Sequence, residues 1–265
     1  MSWWHDLRPE RMVALMIPTT YLVMVAIERC GTGWSWPAVR GWQLVGMGFF
    51  VLLGLVNGTV SGVLVRLDGG FHLIDGMRFG VIPGVLLGYA LISIGNALMH
   101  RAYHRYGWLW RHVHQLHHAP PRLDVAGVMY QTPFEMAANA VLFVGVTVVL
   151  LGLDPLASML CAYIAAFYGM FQHFNVRTPV WLGWFIQRPE AHCEHHRRGV
   201  HAWNYSDVPL WDMLWGTFKN PREFVGELGF DPAVAWCWRD MLLGHDVNAV
   251  DGAVRGSAEP AANPA

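Results

Sequence analysis

Five stretches of the chain are almost wholly apolar, and polar residues collect in the gaps between them. They cover residues 12–27, 42–67, 81–99, 134–153 and 155–174. A membrane-spanning helix needs about 20 predominantly apolar residues. The last three stretches meet that length. The second is longer, with room to tilt or to break near Asn57-Gly58. The first is short and fits a shallow or re-entrant piece as well as a span. Trp3, Trp4, Trp34, Trp36 and Trp42 flank the first two, as an interfacial aromatic belt would.

The gaps carry the topological signal. Asp154-Pro155 alone separates the fourth stretch from the fifth, which predicts a tight helical hairpin. That turn has no Lys or Arg. Residues 101–122 carry four arginines, and residues 177–222 carry five plus Lys219. The positive-inside rule puts both of these regions in the cytoplasm. If all five stretches span, the N-terminus lies outside. Residues 1–80 read as N-terminal membrane segments and 81–244 as the main domain. Residues 245–265 are small, Pro-containing and aperiodic, and predict a disordered tail. No internal repeat is visible. The expected fold is all-α: an integral-membrane bundle of 4–5 apolar helices under a cytoplasmic helical cap.

Composition agrees with that class. Hydrophobic residues make up 54% and charged residues 14%, against about a quarter charged in soluble domains. A net charge of -1 supplies no global field for a nucleic-acid partner. Cys30, Cys161, Cys193 and Cys237 are widely spaced, which argues against a disulfide framework and for a reducing compartment. No small-residue cleavage site follows Met12, so no cleavable signal is expected. The 17 to 1 ratio of Arg to Lys and the Ala/Pro-rich tail point to a GC-rich bacterial source, hence an inner membrane.

Histidine changes the picture most. Of 14 histidines, 11 fall within residues 100–118 and 173–201. His5, His72 and His245 lie outside both windows and read as solvated surface residues. Three clusters stand out: His100 with His104; His114, His117 and His118; and His192, His195 and His196. On a helix, offsets of three and four return to the same face. Each cluster then fits an arc of about 100° and could aim its rings at one point. The apolar hairpin returns the third cluster, with His173, to the side of the first two. Eight or nine neutral imidazoles exceed the four ligands of one zinc and suit two metals.

Chance does not supply such clusters. At the chain's own histidine frequency, one HxxHH is expected roughly 0.04 times. Lone histidines such as His112 and His201 are read as surface or satisfied core residues. Glu194 points about 160° from the mean histidine direction on a helix, which makes it a solvated or outer group. Cys193 lies at the margin of the histidine face. Both are expected to be replaceable. Glu190, Asp207 and Asp212 are candidates to orient ring N–H groups. A bridging Asp or Glu stays open. Tyr103, Trp108, Trp110, Tyr130 and Phe134 are candidates to line a lipid path, with packing or interfacial anchoring the simpler role for each.

At these residues the chain resembles the fatty acid hydroxylase and sterol desaturase superfamily of integral-membrane di-iron enzymes. The resemblance rests on the ordered set HxxxH, HxxHH, hairpin, HxxHH, on "RPEAHCEHH", and on "WNYSDVPLWDMLWGTFKNP". It covers roughly residues 85–221, so residues 81–244 read as a fatty acid hydroxylase-like domain. It implies a metal-ligand set of His100, His104, His114, His117, His118, His173, His192, His195 and His196. It implies two iron ions and O₂-dependent oxidation of an unactivated C–H bond of a membrane lipid, by hydroxylation or desaturation. No side chain supplies the electrons and no GxGxxG-type nucleotide site is present. An external donor is therefore implied, such as a ferredoxin or a cytochrome b5-like protein with its reductase. Ser206 stands where the family has Gly. Arg177 stands where some relatives have a further histidine, so either one ligand is missing or Asn175 or His201 supplies it. Sterols, fatty acyl chains, carotenoids and alkylglycerol lipids all remain open as substrates. The competing reading is a non-redox metal-binding membrane protein, either a zinc-dependent hydrolase or a metal carrier. A carrier should place ionisable residues in its spans, and a hydrolase should offer a general base such as Glu194.

Overall fold

The computed structural model describes residues 8–31 and 33–248 of the chain. Helices dominate, and among the described residues the only β-pairing is an isolated bridge between Arg197 and Leu228. Five helices are long and apolar enough to cross a membrane. They are α1 (Pro9–Cys30), α2 (Trp42–Asp68), α3 (Val81–Arg105), α6 (Pro133–Val144, continued as a π-helix over Gly145–Leu150) and α7 (Pro155–His173). Leu44, Leu55, Ile82 and Leu86 are exposed on their outer faces, as side chains facing lipid would be.

Two expectations change in detail. The first stretch forms a helix long and apolar enough to cross a membrane. Helix α1 begins with Pro9 at its first turn and runs 22 residues, past Ile27, to Cys30. The sequence boundary stopped at Glu28 because a carboxylate ends an apolar run. In the fold that carboxylate is buried, and its Oε1 accepts the backbone N–H groups of Val125 (3.0 Å) and Asn175 (2.8 Å). The second stretch does not break at Asn57-Gly58. Helix α2 is continuous over 27 residues, and the helix itself satisfies the backbone that a break would strand in lipid.

The hairpin forms as expected. The Asp154 carboxylate caps α7 by accepting from the N–H groups of Leu156 (2.8 Å) and Ala157 (3.4 Å), with Pro155 at the first helical position. Such a cap stabilises a helix by about 1 kcal/mol. Helix α1 packs on α7, α2 on α6, and α3 on α7. Gly46 of α2 has no room for a Cβ, because the Ala126 carbonyl lies against it.

One end of the bundle carries the cap. It contains α4 (Gly107–Leu109), a π-helical turn (Trp110–His114), α5 (Gln115–His118), α8 (Pro189–His195), α9 (Pro209–Trp215) and α10 (Trp238–Leu242). Trp42 at the start of α2 donates to Asp124 (2.7 Å), and the backbone of Trp34 is clamped by the Asn175 amide. Glu28, near the end of α1, holds the same region. These buried bonds tie the first two spans to the cap. At residues 245–248 the expected tail is held in place. The His245 carbonyl accepts from the Gln115 amide at 2.7 Å, and Val247 is buried. The rest of that tail, the aromatic flank Trp3-Trp4, and His5 lie outside the described residues.

Candidate metal centre

The nine histidines converge, and they divide into two groups. His100, His104, His114, His118 and His195 form one; His117, His173, His192 and His196 form the other. Within each group one ring nitrogen per residue lies within 4.8 Å of all the others. The groups adjoin: the rings of His118 and His196 stack at 4.1 Å between centroids. The ends of α3 and α7, the 110–118 turn and α8 each deliver part of the set.

The division corrects the expectation that each sequence cluster aims at one point. Both HxxHH clusters are split. His114 and His118 go to one group and His117 to the other; His192 and His196 go to the second and His195 to the first. The arithmetic of the helix explains it. An offset of four rotates a residue by only about 40°, whereas offsets of three and four differ by about 100°. The i, i+4 pair stays together and the third ring swings to the neighbouring group.

Backbone carbonyls orient several rings. His100 Nδ1 lies 2.7 Å from the Tyr205 carbonyl, His195 Nδ1 2.7 Å from that of Trp203, and His173 Nδ1 2.9 Å from that of Gly169. A carbonyl only accepts, so in each of these rings Nδ1 carries the proton and Nε2 presents a bare lone pair. Those lone pairs face other ring nitrogens: His195 Nε2 is 3.1 Å from His118 Nε2, and His173 Nε2 is 3.2 Å from His117 Nε2. The Nε2 atoms of His100 and His104 are buried with no hydrogen-bond partner. Buried ring nitrogens that converge in this way are suited to share a cation. The donor set therefore fits metal ions that accept imidazole.

The environment keeps the rings neutral. Burial, which disfavours the charged form, lowers His114 to about 3. Burial also holds His117, His118, His192, His195 and His196 well below the ordinary imidazole value, and the neighbouring imidazoles lower them further. Neutral imidazole is the metal-binding form.

The carboxylates are placed differently from expectation. Glu190 binds the Thr178 N–H (2.7 Å) and hydroxyl (2.8 Å) and pairs with Arg188. Asp207 accepts from the hydroxyls of Tyr89 and Ser93. Asp212 accepts from the N–H groups of Tyr205 (2.9 Å) and Ser206 (2.8 Å) and the Thr217 hydroxyl (2.6 Å). None of these contacts is to an imidazole. Asp212 instead fixes the 204–208 loop, whose Tyr205 carbonyl holds His100. Among the described residues, the carboxylate that does reach a ring of the two groups is Glu135, whose Oε1 lies 2.9 Å from His114 Nδ1. Two sequence signals pointed to it: a Thr132-x-x-Glu135 capping pattern, and one acid inside an apolar stretch. Gln187 was also missed; its amide nitrogen lies 2.8 Å from His192 Nδ1.

The remaining candidates separate cleanly. His201 is buried with its Nδ1 3.0 Å from His118 Nδ1, so it backs a ring of the five-histidine group and belongs to neither group. Asn175 is committed to Trp34 and Gly33, and neither it nor His201 falls within the two groups. His112 stacks on Trp108, away from the groups. Cys193 is fully buried among Leu123, Phe224 and Leu228, and burial raises its thiol well above the usual value. Glu194 is not simply solvated: it pairs with Arg197 at 2.6 Å. Tyr103, Trp110 and Tyr130 are buried packing residues, whereas Trp108 and Phe134 are exposed. Ser206 needs no glycine geometry, and its hydroxyl donates to the Val208 carbonyl at 2.6 Å.

Comparison with known proteins follows this geometry. The family description "Fatty acid hydroxylase" matches residues 85–217, which contain all nine histidines. The chain is 31% identical over 161 residues to the ornithine lipid hydroxylase OlsE of Rhizobium tropici, across 57% of this chain and 46% of that protein. It thus spans about half the length of that relative. No solved structure matches it significantly.

Proposed function

The chain belongs to the fatty acid hydroxylase family, and from that premise we propose that it hydroxylates a membrane lipid at two iron ions held by the nine histidines. The observation that carries this reading is the pair of adjoining groups whose bare Nε2 lone pairs converge. When bound, the two irons supply O₂-dependent oxidation of an unactivated C–H bond. His100, His104, His114, His118 and His195 would hold one ion, and His117, His173, His192 and His196 the other. Adjacent stacked rings at the boundary, His118 and His196, keep the two positions close.

The protein's own part is positioning. Carbonyls of Gly169, Trp203 and Tyr205 hold the Nδ1 protons and turn each Nε2 inward. Burial excludes water from the rings. The site sits at one end of the spans, where a lipid anchored in the bilayer can present a carbon close to its headgroup. Similarity to a relative named for hydroxylating ornithine lipids supports an amino-acid-headgroup lipid as the first substrate to test. Positive charge near the cap supports a cytoplasmic face, in a bacterial inner membrane. Electrons then come from a soluble donor such as a ferredoxin or a cytochrome b5-like protein with its reductase.

The test is iron analysis joined to an O₂-consumption assay on the purified protein with ornithine lipid and a reductant. Two irons per chain and lipid-dependent O₂ uptake are expected. Two zinc ions with no O₂ uptake under any lipid would refute the proposal and support a hydrolytic or carrier role.

A further inference from the structure

We propose that Glu135 is a positioning residue that sets one metal position apart from the other. This inference rests on reading the two histidine groups as metal positions. Glu135 lies in the first turn of α6, and its Oε1 meets His114 Nδ1 at 2.9 Å with both side chains buried. Its place is fixed from two sides. The Thr132 hydroxyl oxygen accepts the Glu135 N–H at 3.2 Å, and the same hydroxyl donates to the Val113 carbonyl at 2.8 Å. The start of α6 is thereby tied to the residue that precedes His114.

The second carboxylate oxygen, Oε2, is buried with no hydrogen-bond partner. A buried carboxylate with one hydrogen bond and no cation beside it is costly. No Lys or Arg is paired with Glu135 among the described residues. A cation on the far side of His114 supplies the missing charge. The carboxylate in turn keeps the proton on Nδ1, fixes the ring and makes Nε2 a stronger donor. Among the described residues, no carboxylate is paired with a ring of the other group. Among the described residues, the Nδ1 atoms of His173 and His192 face a carbonyl and an amide, both neutral. A buried carboxyl group therefore backs His114 of the five-histidine group, whereas among the described residues no carboxylate is hydrogen-bonded to His173 or His192 of the four-histidine group. The two ions are inequivalent, and the one at His104 and His114 is held more tightly because of Glu135.

Cobalt(II) titration of the purified, metal-free full-length chain under anaerobic conditions tests this, read by visible absorption and by metal count against a competing chelator. The wild type should bind two ions. Glu135→Gln keeps the shape and an acceptor but removes the charge; it should weaken one ion by about 10- to 100-fold and leave the other unchanged. Glu135→Ala should retain only one ion. Wild-type affinity at both positions in Glu135→Gln would overturn the inference. So would equal weakening of both positions together with a lowered unfolding temperature of the metal-free protein, because that is the mark of a purely structural residue. A wild type that binds two ions while the variants match it refutes the role of Glu135 alone; a wild type that binds none refutes the metal-centre reading and this inference with it.

Discussion

His117 and His118 are consecutive in the chain, yet their rings stand at 87° with centroids 5.7 Å apart and belong to different histidine groups. Adjacent residues therefore serve separate positions, and single substitutions can take the pair of metals apart. His118→Ala should release the ion of the five-histidine group, and His117→Ala the ion of the other. Each variant should keep about half the wild-type metal and lose activity on the order of 100-fold or more. His112→Ala should keep both ions. Metal analysis of the three purified variants checks this; loss of both ions in each single ligand variant would mean that the groups act as one site.

The residues between the ligands behave differently. Glu194 pairs with Arg197 and belongs to neither histidine group, so Glu194→Ala should retain full metal content. Cys193 sits fully buried in an apolar cluster with Leu123, Phe224 and Leu228. Cys193→Ser would bury a hydroxyl there without a partner, costing about 1–3 kcal/mol. Cys193→Ala should be milder. The expected pattern in a thermal melt is a drop for Ser with metal retained in both. Metal loss in Cys193→Ala would make the thiol a ligand after all.

Much of this was legible in the sequence, and the gaps have physical reasons. Apolar length reported five spans because lipid admits only long, internally bonded segments. Spacing singled out eight clustered histidines, and the apolar hairpin pointed to His173 beside them. Spacing could not report the split within each HxxHH, which depends on where the neighbouring helix ends bring their own rings. The proton partners were hidden for a similar reason. Carbonyls of Trp203 and Tyr205 carry no side-chain signature, and the backbone reaches them through non-glycine residues at positive φ, Trp203 (72°) and Asn204 (47°). Asp207, Asp212 and Glu190 lie close to ligands in sequence, but their bonds go to the loops that hold the site.

Arg188 shows how those loops depend on buried charge. Its side chain is fully buried, donates to Thr178, Asn220 and Pro221, and pairs with Glu190 at 3.1 Å. Arg188→Ala would leave Glu190 buried without its cation, at a cost of about 3–5 kcal/mol. Because α8 begins at the next residue, the expected outcome is low expression, an early melt and reduced metal binding in whatever protein folds. A melt within one degree of wild type would contradict the account of this latch.

Acid should unfold the metal-free protein. His114 is held at about 3, from an ordinary value of 6.5, and its buried neighbours are lowered likewise. Between those two pH values the unfolded chain binds more protons than the folded one. Stability is therefore complete above about pH 6.5 and declines as pH falls toward 3. Metal binding weakens over the same range, since its ligands must be neutral. Thermal melts of the metal-free protein from pH 7.5 to 5 should shift steadily downward; a flat or rising series would show that the rings are not buried neutral.

We propose that metal ions held by the two histidine groups oxidise a lipid with O₂. The most direct test is mass spectrometry of lipids from bacteria that express the chain under isotopically labelled O₂, with His118→Ala as control. A lipid heavier by one oxygen, carrying the label from O₂, is expected in wild type and not in the control. A new lipid whose added oxygen comes unlabelled from water, or the same product from His118→Ala, would contradict the proposal.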